Sequence, residues 1–126
     1  MAARILVVDD DDSLRELLRM HLASAGYDVS TASDGISAGY MVLKNPPDLI
    51  LSDVSMPHMD GFEFVAALRA DKALAHIPVI FLTSMEEGDN RGKELGAVGY
   101  LTKPVRADRL LELVAKHVSG GAIPIG

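Results

Sequence analysis

ILVVDDDDSLRELL, residues 5–18, runs four apolar residues straight into four aspartates and then into a helical pattern. The apolar run is rich in β-branched residues and reads as a strand, Ile5–Val8. Leu14, Leu17, Leu18 and Leu22 then recur at spacings of three and four, which predicts a helix over Ser13–Ala25 with those leucines inward. Ser13 and Glu16 have the spacing of a capping box, and Gly26 is a good helix stop. The aspartates between the two elements raise a physical problem. Like charges about 4 Å apart repel by ~1 kcal/mol in water and by several times that at low dielectric. Either they splay into solvent or a cation sits among them.

The same alternation of short apolar run and helical stretch continues along the chain. Tyr27–Thr31 alternates as a second strand, and Gly35–Leu43 reads as a helix closed by Asn45-Pro46-Pro47. Leu49–Leu51 is a third apolar run, ending in Ser52-Asp53. After the loop VSMPHMDG comes a helix over Phe62–Ala70. Pro78–Leu82 is a fourth strand, ending at Thr83-Ser84. The stretch MEEGDNRGKELGA stands where a fourth helix belongs but contains Gly88 and Gly92, each costing about 1 kcal/mol relative to alanine. Gly99–Leu101 is a fifth strand, followed by Thr102-Lys103-Pro104. Ala107–Val118 is the last helix, with Leu110, Leu111, Val114 and Val118 inward. The tail GGAIPIG reads as a linker or disordered end, giving one domain over residues 1–119 and a tail over 120–126.

This is a (βα)5 pattern. Strands that are apolar throughout are buried on both faces, as in a parallel sheet covered by helices. The expected fold is therefore α/β and doubly wound, a three-layer sandwich around a five-stranded parallel sheet. Ligands of such sheets bind beyond the carboxyl ends of the strands. Those ends carry Asp9-Asp10, Asp53, Thr83 and Lys103, so three carboxylates, a hydroxyl and an ammonium are expected at one edge.

Bulk properties narrow the function classes. A chain of 126 residues, 48% hydrophobic and 24% charged, is one ordinary globular domain. Its net charge of −6 argues against nucleic-acid binding by this segment. It has no cysteine, hence no disulfide or thiol chemistry. The apolar run near the N-terminus is too short for a signal peptide or a membrane span, so a cytoplasmic location is expected. His21, His58, His76 and His117 show no metal-ligand spacing, and Met56 and Met59 read as loop packing.

The strand-end residues suit phosphoryl transfer to a carboxylate. Clustered carboxylates need a compensating cation. Mg2+ takes oxygen ligands and is held by one or two carboxylates while keeping positions for a phosphoryl group. Aspartate is a competent nucleophile that forms an acyl phosphate, and a lysine and a hydroxyl offset charge on the phosphoryl oxygens.

The set VVDD (7–10), LILSDVSMPHMDG (49–61), FLTS (81–84) and GYLTKP (99–104) resembles the receiver domain of two-component response regulators, over residues 4–118. The resemblance implies the flavodoxin-like strand order 2-1-3-4-5, as in the chemotaxis receiver. It implies that Asp53 accepts the phosphoryl group. Asp9, Asp10, Asp53 and the backbone carbonyl of Ser55 would form the metal site, for Mg2+ or alternatively Mn2+. Thr83 and Lys103 would bind the phosphoryl group, Tyr100 would follow Thr83 as a switch, and the Lys103–Pro104 peptide would be cis. Asp11 and Asp12 fall outside the metal site, at the helix start. The implied partners are a sensor histidine kinase or histidine phosphotransfer protein and a downstream effector, with a phosphorylation-dependent homodimer as a further implication. Neither nucleic acid nor membrane is expected as a partner. The implied role is a signalling switch around the fourth helix, fifth strand and fifth helix, not a turnover enzyme.

Two other readings compete. Asp9-x-Asp11 after the first strand mimics the nucleophile motif of haloacid-dehalogenase-type phosphohydrolases, which would leave Asp53 without a role. A degenerate receiver would act as a non-phosphorylated interaction module, against which stands the intact acid, hydroxyl and lysine set. One departure from familiar receivers is a Thr83–Lys103 interval about two residues short that contains Gly88 and Gly92, so the fourth helix is expected short or partly unwound.

Overall fold

The computed structural model describes residues 2–56, 59–83 and 95–118. Five strands alternate with helices: β1 (Arg4–Val8), α1 (Asp12–Ser24), β2 (Asp28–Ala32), α2 (Gly35–Lys44), β3 (Leu49–Asp53), α3 (Gly61–Arg69), β4 (Val79–Thr83), β5 (Gly99–Thr102) and α4 (Ala107–His117). Residues 85–94 of MEEGDNRGKELGA, where a fourth helix is expected, and the tail over 120–126 lie outside the described residues; residues 95–97, which are described, are not helical.

All strands are parallel, in the order β2-β1-β3-β4-β5. Alternate side chains of one strand serve opposite faces, and each face has its own apolar layer. Leu6, Val8, Ile50, Val79 and Phe81 pack against Ala38 and Val42 of α2 and Phe62, Val65 and Leu68 of α3. Ile5, Val7, Leu49, Leu51, Ile80 and Leu82 pack against Leu18 and Leu22 of α1 and Leu110 and Val114 of α4. Helices on both faces make the expected three-layer, doubly wound sandwich.

Local details sharpen several expectations. β3 extends through Ser52 and Asp53, because β1 and β4 flank it on both sides and all five residues are buried. α1 starts one residue early and is capped by Asp11, whose carboxylate accepts from Leu14 N at 3.1 Å. The Ser13–Glu16 capping box is not formed; Glu16 pairs with Arg19 instead. Leu17 is 44% exposed, unlike the buried Leu18 and Leu22. It lies on the flank of the stripe that Leu14, Leu18 and Leu22 trace at i, i+4, i+8. The capping box that does form is at α3, where Asp60 N donates to Glu63 Oε1 at 2.9 Å and Glu63 N to Asp60 Oδ1 at 2.8 Å. Gly26, past the end of α1, has φ +98° and stops the helix as expected. Met56 and Met59 pack on the α2–α3 layer.

The entry to α3 depends on a close backbone approach. A Cβ at Gly61 would stand 2.1 Å from the carbonyl oxygen of Asp53. Gly39, inside α2, has nothing within 4 Å of its Cβ position. Gly61→Ala is therefore expected to destabilise the fold by at least about 2 kcal/mol, since backbone must move. Gly39→Ala should stabilise it by roughly 0.5–1 kcal/mol. Urea denaturation of both variants checks this opposition of sign.

Candidate functional site

The strand register delivers the site. Val8 pairs with Ser52, so the next residues, Asp9 and Asp53, leave β1 and β3 side by side. Thr83 pairs with Thr102, which puts Lys103 directly beyond. Backbone hydrogen bonds continue past the strand ends and fix these positions: Asp9 N to Ala32 O at 3.1 Å, Val54 N to Leu82 O at 3.1 Å and Lys103 N to Thr83 O at 2.8 Å. The result is a cleft of about 340 Å3 lined by Asp10, Asp11, Asp53, Val54, Ser55, Thr83 and Lys103.

Lys103 spans the two buried acids, with Nζ 3.3 Å from both Asp9 Oδ2 and Asp53 Oδ2. Asp9 is 0% exposed. Its Oδ1 accepts from Asp11 N at 2.8 Å. Its Oδ2 is enclosed and makes no hydrogen bond among the described residues; the ammonium supplies charge there without hydrogen-bond alignment. Ser55 N approaches Asp53 Oδ1 at 3.4 Å, a long contact. Asp10 stays exposed at the rim. Oxygens of Asp9, Asp10 and Asp53 lie within 4.8 Å of one another, the one group of potential metal ligands among the described residues. Three carboxylates thus face one ammonium, and an enclosed oxygen lacks a donor. Hard oxygen donors with surplus negative charge fit a divalent cation such as Mg2+.

Burial pushes the Asp53 carboxyl up to about 6, helped by the charge of Asp9 and opposed by Lys103 and the Ser55 amide. Burial pulls the Lys103 ammonium down, but Asp53 and Asp9 outweigh it and hold the group above its ordinary value. The ammonium is thus held in its charged form by the two acids beside it.

The expected residues meet as the strand-end reading requires. Thr83 is buried and faces the cleft. Tyr100 pairs with Phe81 across β4 and β5, their rings 6.1 Å apart, on the same sheet face as Thr83. The Lys103–Pro104 peptide is cis. Asp11 caps α1 and Asp12 occupies its first turn, as expected. His58 lies outside the described residues. Sequence reasoning missed Arg15, whose guanidinium donates to the Asp9 carbonyl at 2.8 Å and to Asp12 Oδ1 at 2.6 Å. The Asp12–Arg15 spacing of three on a helix was a visible signal; the bond to a backbone carbonyl was not.

A carboxyl whose folded pKa is about 6 instead of 3.8 binds more protons folded than unfolded between those values. Its ionised form costs stability at neutral pH, and the cost fades as pH falls through 6. In chelator-treated protein, Asp53→Asn should therefore stabilise the fold at pH 7–8, by on the order of 1–3 kcal/mol. The gain should vanish near pH 4. Denaturant melts of wild type and variant across that range check it.

Comparison with known proteins agrees with this geometry. Residues 5–115 match the family model of the response regulator receiver domain. Response regulator PleD of Caulobacter vibrioides is 47% identical over 107 residues, covering 83% of this chain and 24% of that protein. The DNA-binding dual master transcriptional regulator RpaA of Synechocystis is 40% identical over 113 residues, covering 88% of this chain and 47% of that protein. The chain thus spans less than half the length of these curated relatives. The solved structure of the chemotaxis response regulator CheY4 of Vibrio cholerae superposes with a TM-score of 0.89 at 39% identity, covering 94% of this chain and all of that one. A doubly wound sheet with acids, hydroxyl and lysine at its carboxyl edge, matched over nearly its whole length, makes this chain a member of the receiver-domain family of two-component response regulators.

Proposed function

We propose that Asp53 accepts a phosphoryl group from a histidine kinase or histidine phosphotransfer protein. The observation that carries this reading is the division of labour between two buried acids. Asp53 lines the cleft beside Thr83 and Lys103, whereas Asp9 is enclosed, with one oxygen held by Asp11 N and the other against the Lys103 ammonium. Asp53 is the buried carboxylate that an incoming phosphorus can reach. A bond forms between its oxygen and phosphorus while the donor's N–P bond breaks; the electron pair stays on the imidazole nitrogen, which takes up a proton.

Asp9, Asp10, Asp53 and the Ser55 carbonyl would hold Mg2+, or Mn2+ in its place, which supplies charge neutralisation to the phosphoryl oxygens when bound. Lys103, beside Asp9 and Asp53, presents a second cation, and Thr83 offers a hydroxyl donor. As Thr83 turns toward the phosphoryl group, Tyr100 on the same sheet face repacks. That shifts the population of the surface around the segment after β4, β5 and α4. The domain extends over residues 1–119, with a linker or disordered tail over 120–126. It works in the cytoplasm as a switch, not as a turnover enzyme, and passes its state to an effector protein or domain. This segment binds no nucleic acid itself, and phosphorylation favours its homodimer.

The phosphohydrolase reading needs Asp9 as nucleophile, and its full burial stands against that. A degenerate module would have no use for the surplus charge around Asp9, Asp10 and Asp53.

Incubation with Mg2+ and a small phosphodonor is expected to add the mass of one phosphoryl group, read by intact-mass spectrometry. Asp53→Asn should abolish the gain, and chelation should suppress it. An unchanged gain in Asp53→Asn would overturn the assignment.

A further inference from the structure

α2, GISAGYMVLK, carries a single charged residue, Lys44. A helix with so few charges normally has no face in water. Here Ala38 and Val42 bury the inner face, yet Ile36, Tyr40 and Leu43 stand 51%, 72% and 65% exposed. Their spacing of four and three makes one continuous outer stripe. Beside it runs an apolar groove of about 350 Å3, shared with α3 and floored by Met59, Phe64, Leu68 and Leu74. Gly39 sits in this wall with open space where a Cβ would be, so another backbone can come close.

The charges around the stripe are self-complementary. Both helices follow parallel strands and begin at the carboxyl edge of the sheet. Their first turns gather Asp34, Asp60 and Glu63 at one end. Lys44 and Lys72 lie at the other. Asp71 shares that basic end and lowers its charge, but two lysines still outnumber one acid there, and the other end carries acids alone. We propose that this α2–α3 face pairs two copies of the chain, with the two α2 helices antiparallel about a two-fold axis near Gly39.

In that arrangement each copy's basic end lies over the other's acidic end, twice, as an isologous contact requires. A parallel pairing would stack like charges. Ile36 and Leu43 lie on either side of the axis, so each copy's apolar stripe covers the other's. The three exposed side chains offer on the order of 300–400 Å2 of apolar surface, as large as the main patch of a typical monomer. This is below the roughly 800 Å2 per partner of a standard interface, so the dimer is weak and concentration-dependent.

Sedimentation of the chain from about 10 µM to about 1 mM, a range suited to a weak contact, tests the pairing. The weight-average mass should climb from 13.5 kDa toward twice that value. It should do so without Mg2+ or phosphodonor, so failure of the Asp53 assignment leaves this result untouched. Tyr40→Arg should hold the chain monomeric with its circular dichroism unchanged. Lys44→Glu should weaken association about tenfold, and adding Glu63→Lys should restore it. Leu17→Ser, on α1, should have no effect. A chain that stays monomeric at the highest concentration overturns the proposal. So does a dimer that Tyr40→Arg leaves intact or that Leu17→Ser breaks, and so does a groove that captures only an unrelated protein.

Discussion

Asp9 and Asp53 are pressed together by strand pairing with one ammonium between them, and the rest of the carboxyl edge is organised around that contact. Parallel register fixes their separation: Val8 pairs with Ser52, so Asp9 leaves β1 beside Asp53, the last residue of β3. Neither acid can retreat into water, because both are buried. Lys103, delivered by the next strand pair but one, reaches both at 3.3 Å and still leaves a surplus of negative charge. Burial raises the Asp53 carboxyl, and the neighbouring charge of Asp9 adds to it. A site of this kind costs stability and is expected where chemistry is done.

The four aspartates that open the chain separate into distinct roles once folded. Asp9 is the enclosed acid and Asp10 the exposed acid at the rim of the cleft. Asp11 is the helix cap, and Asp12 is the partner of Arg15. The repulsion inherent in the run is relieved by dispersal as much as by counter-charge. Only the first pair joins Asp53, and Arg15 ties the whole turn to α1 through the Asp9 carbonyl.

Much of this could be read before folding, for identifiable reasons. Apolar runs report burial on both faces, so β1, β3 and β4 and their parallel arrangement were legible, while the edge strands β2 and β5 are only partly buried. The residues that terminate them then named the site. Edges were less legible. An alternating run such as Tyr27–Ala32 fits two start points, and pairing of Arg4 with Asp28 decides between them. Ser52 and Asp53 look like loop residues but are held in β3 by neighbours distant in sequence. Asp11 displaced Ser13 as the cap, because any short acceptor in that turn can serve. Leu17 belonged to the right periodicity and the wrong side of its stripe. The orphaned oxygen of Asp9 and the exposed stripe of α2 have no sequence signature, since each depends on what the fold leaves beside them.

The central claim is that the carboxylate surplus at the strand ends is matched by a divalent cation. Thermal unfolding of the phosphodonor-free protein, with MgCl2 and with NaCl at equal ionic strength, tests it most directly. The account predicts that Mg2+ raises Tm by several degrees at saturating concentration, that NaCl does not, and that Asp10→Asn largely removes the difference. Equal melting in the two salts, or an undiminished Mg2+ effect in Asp10→Asn, would contradict it.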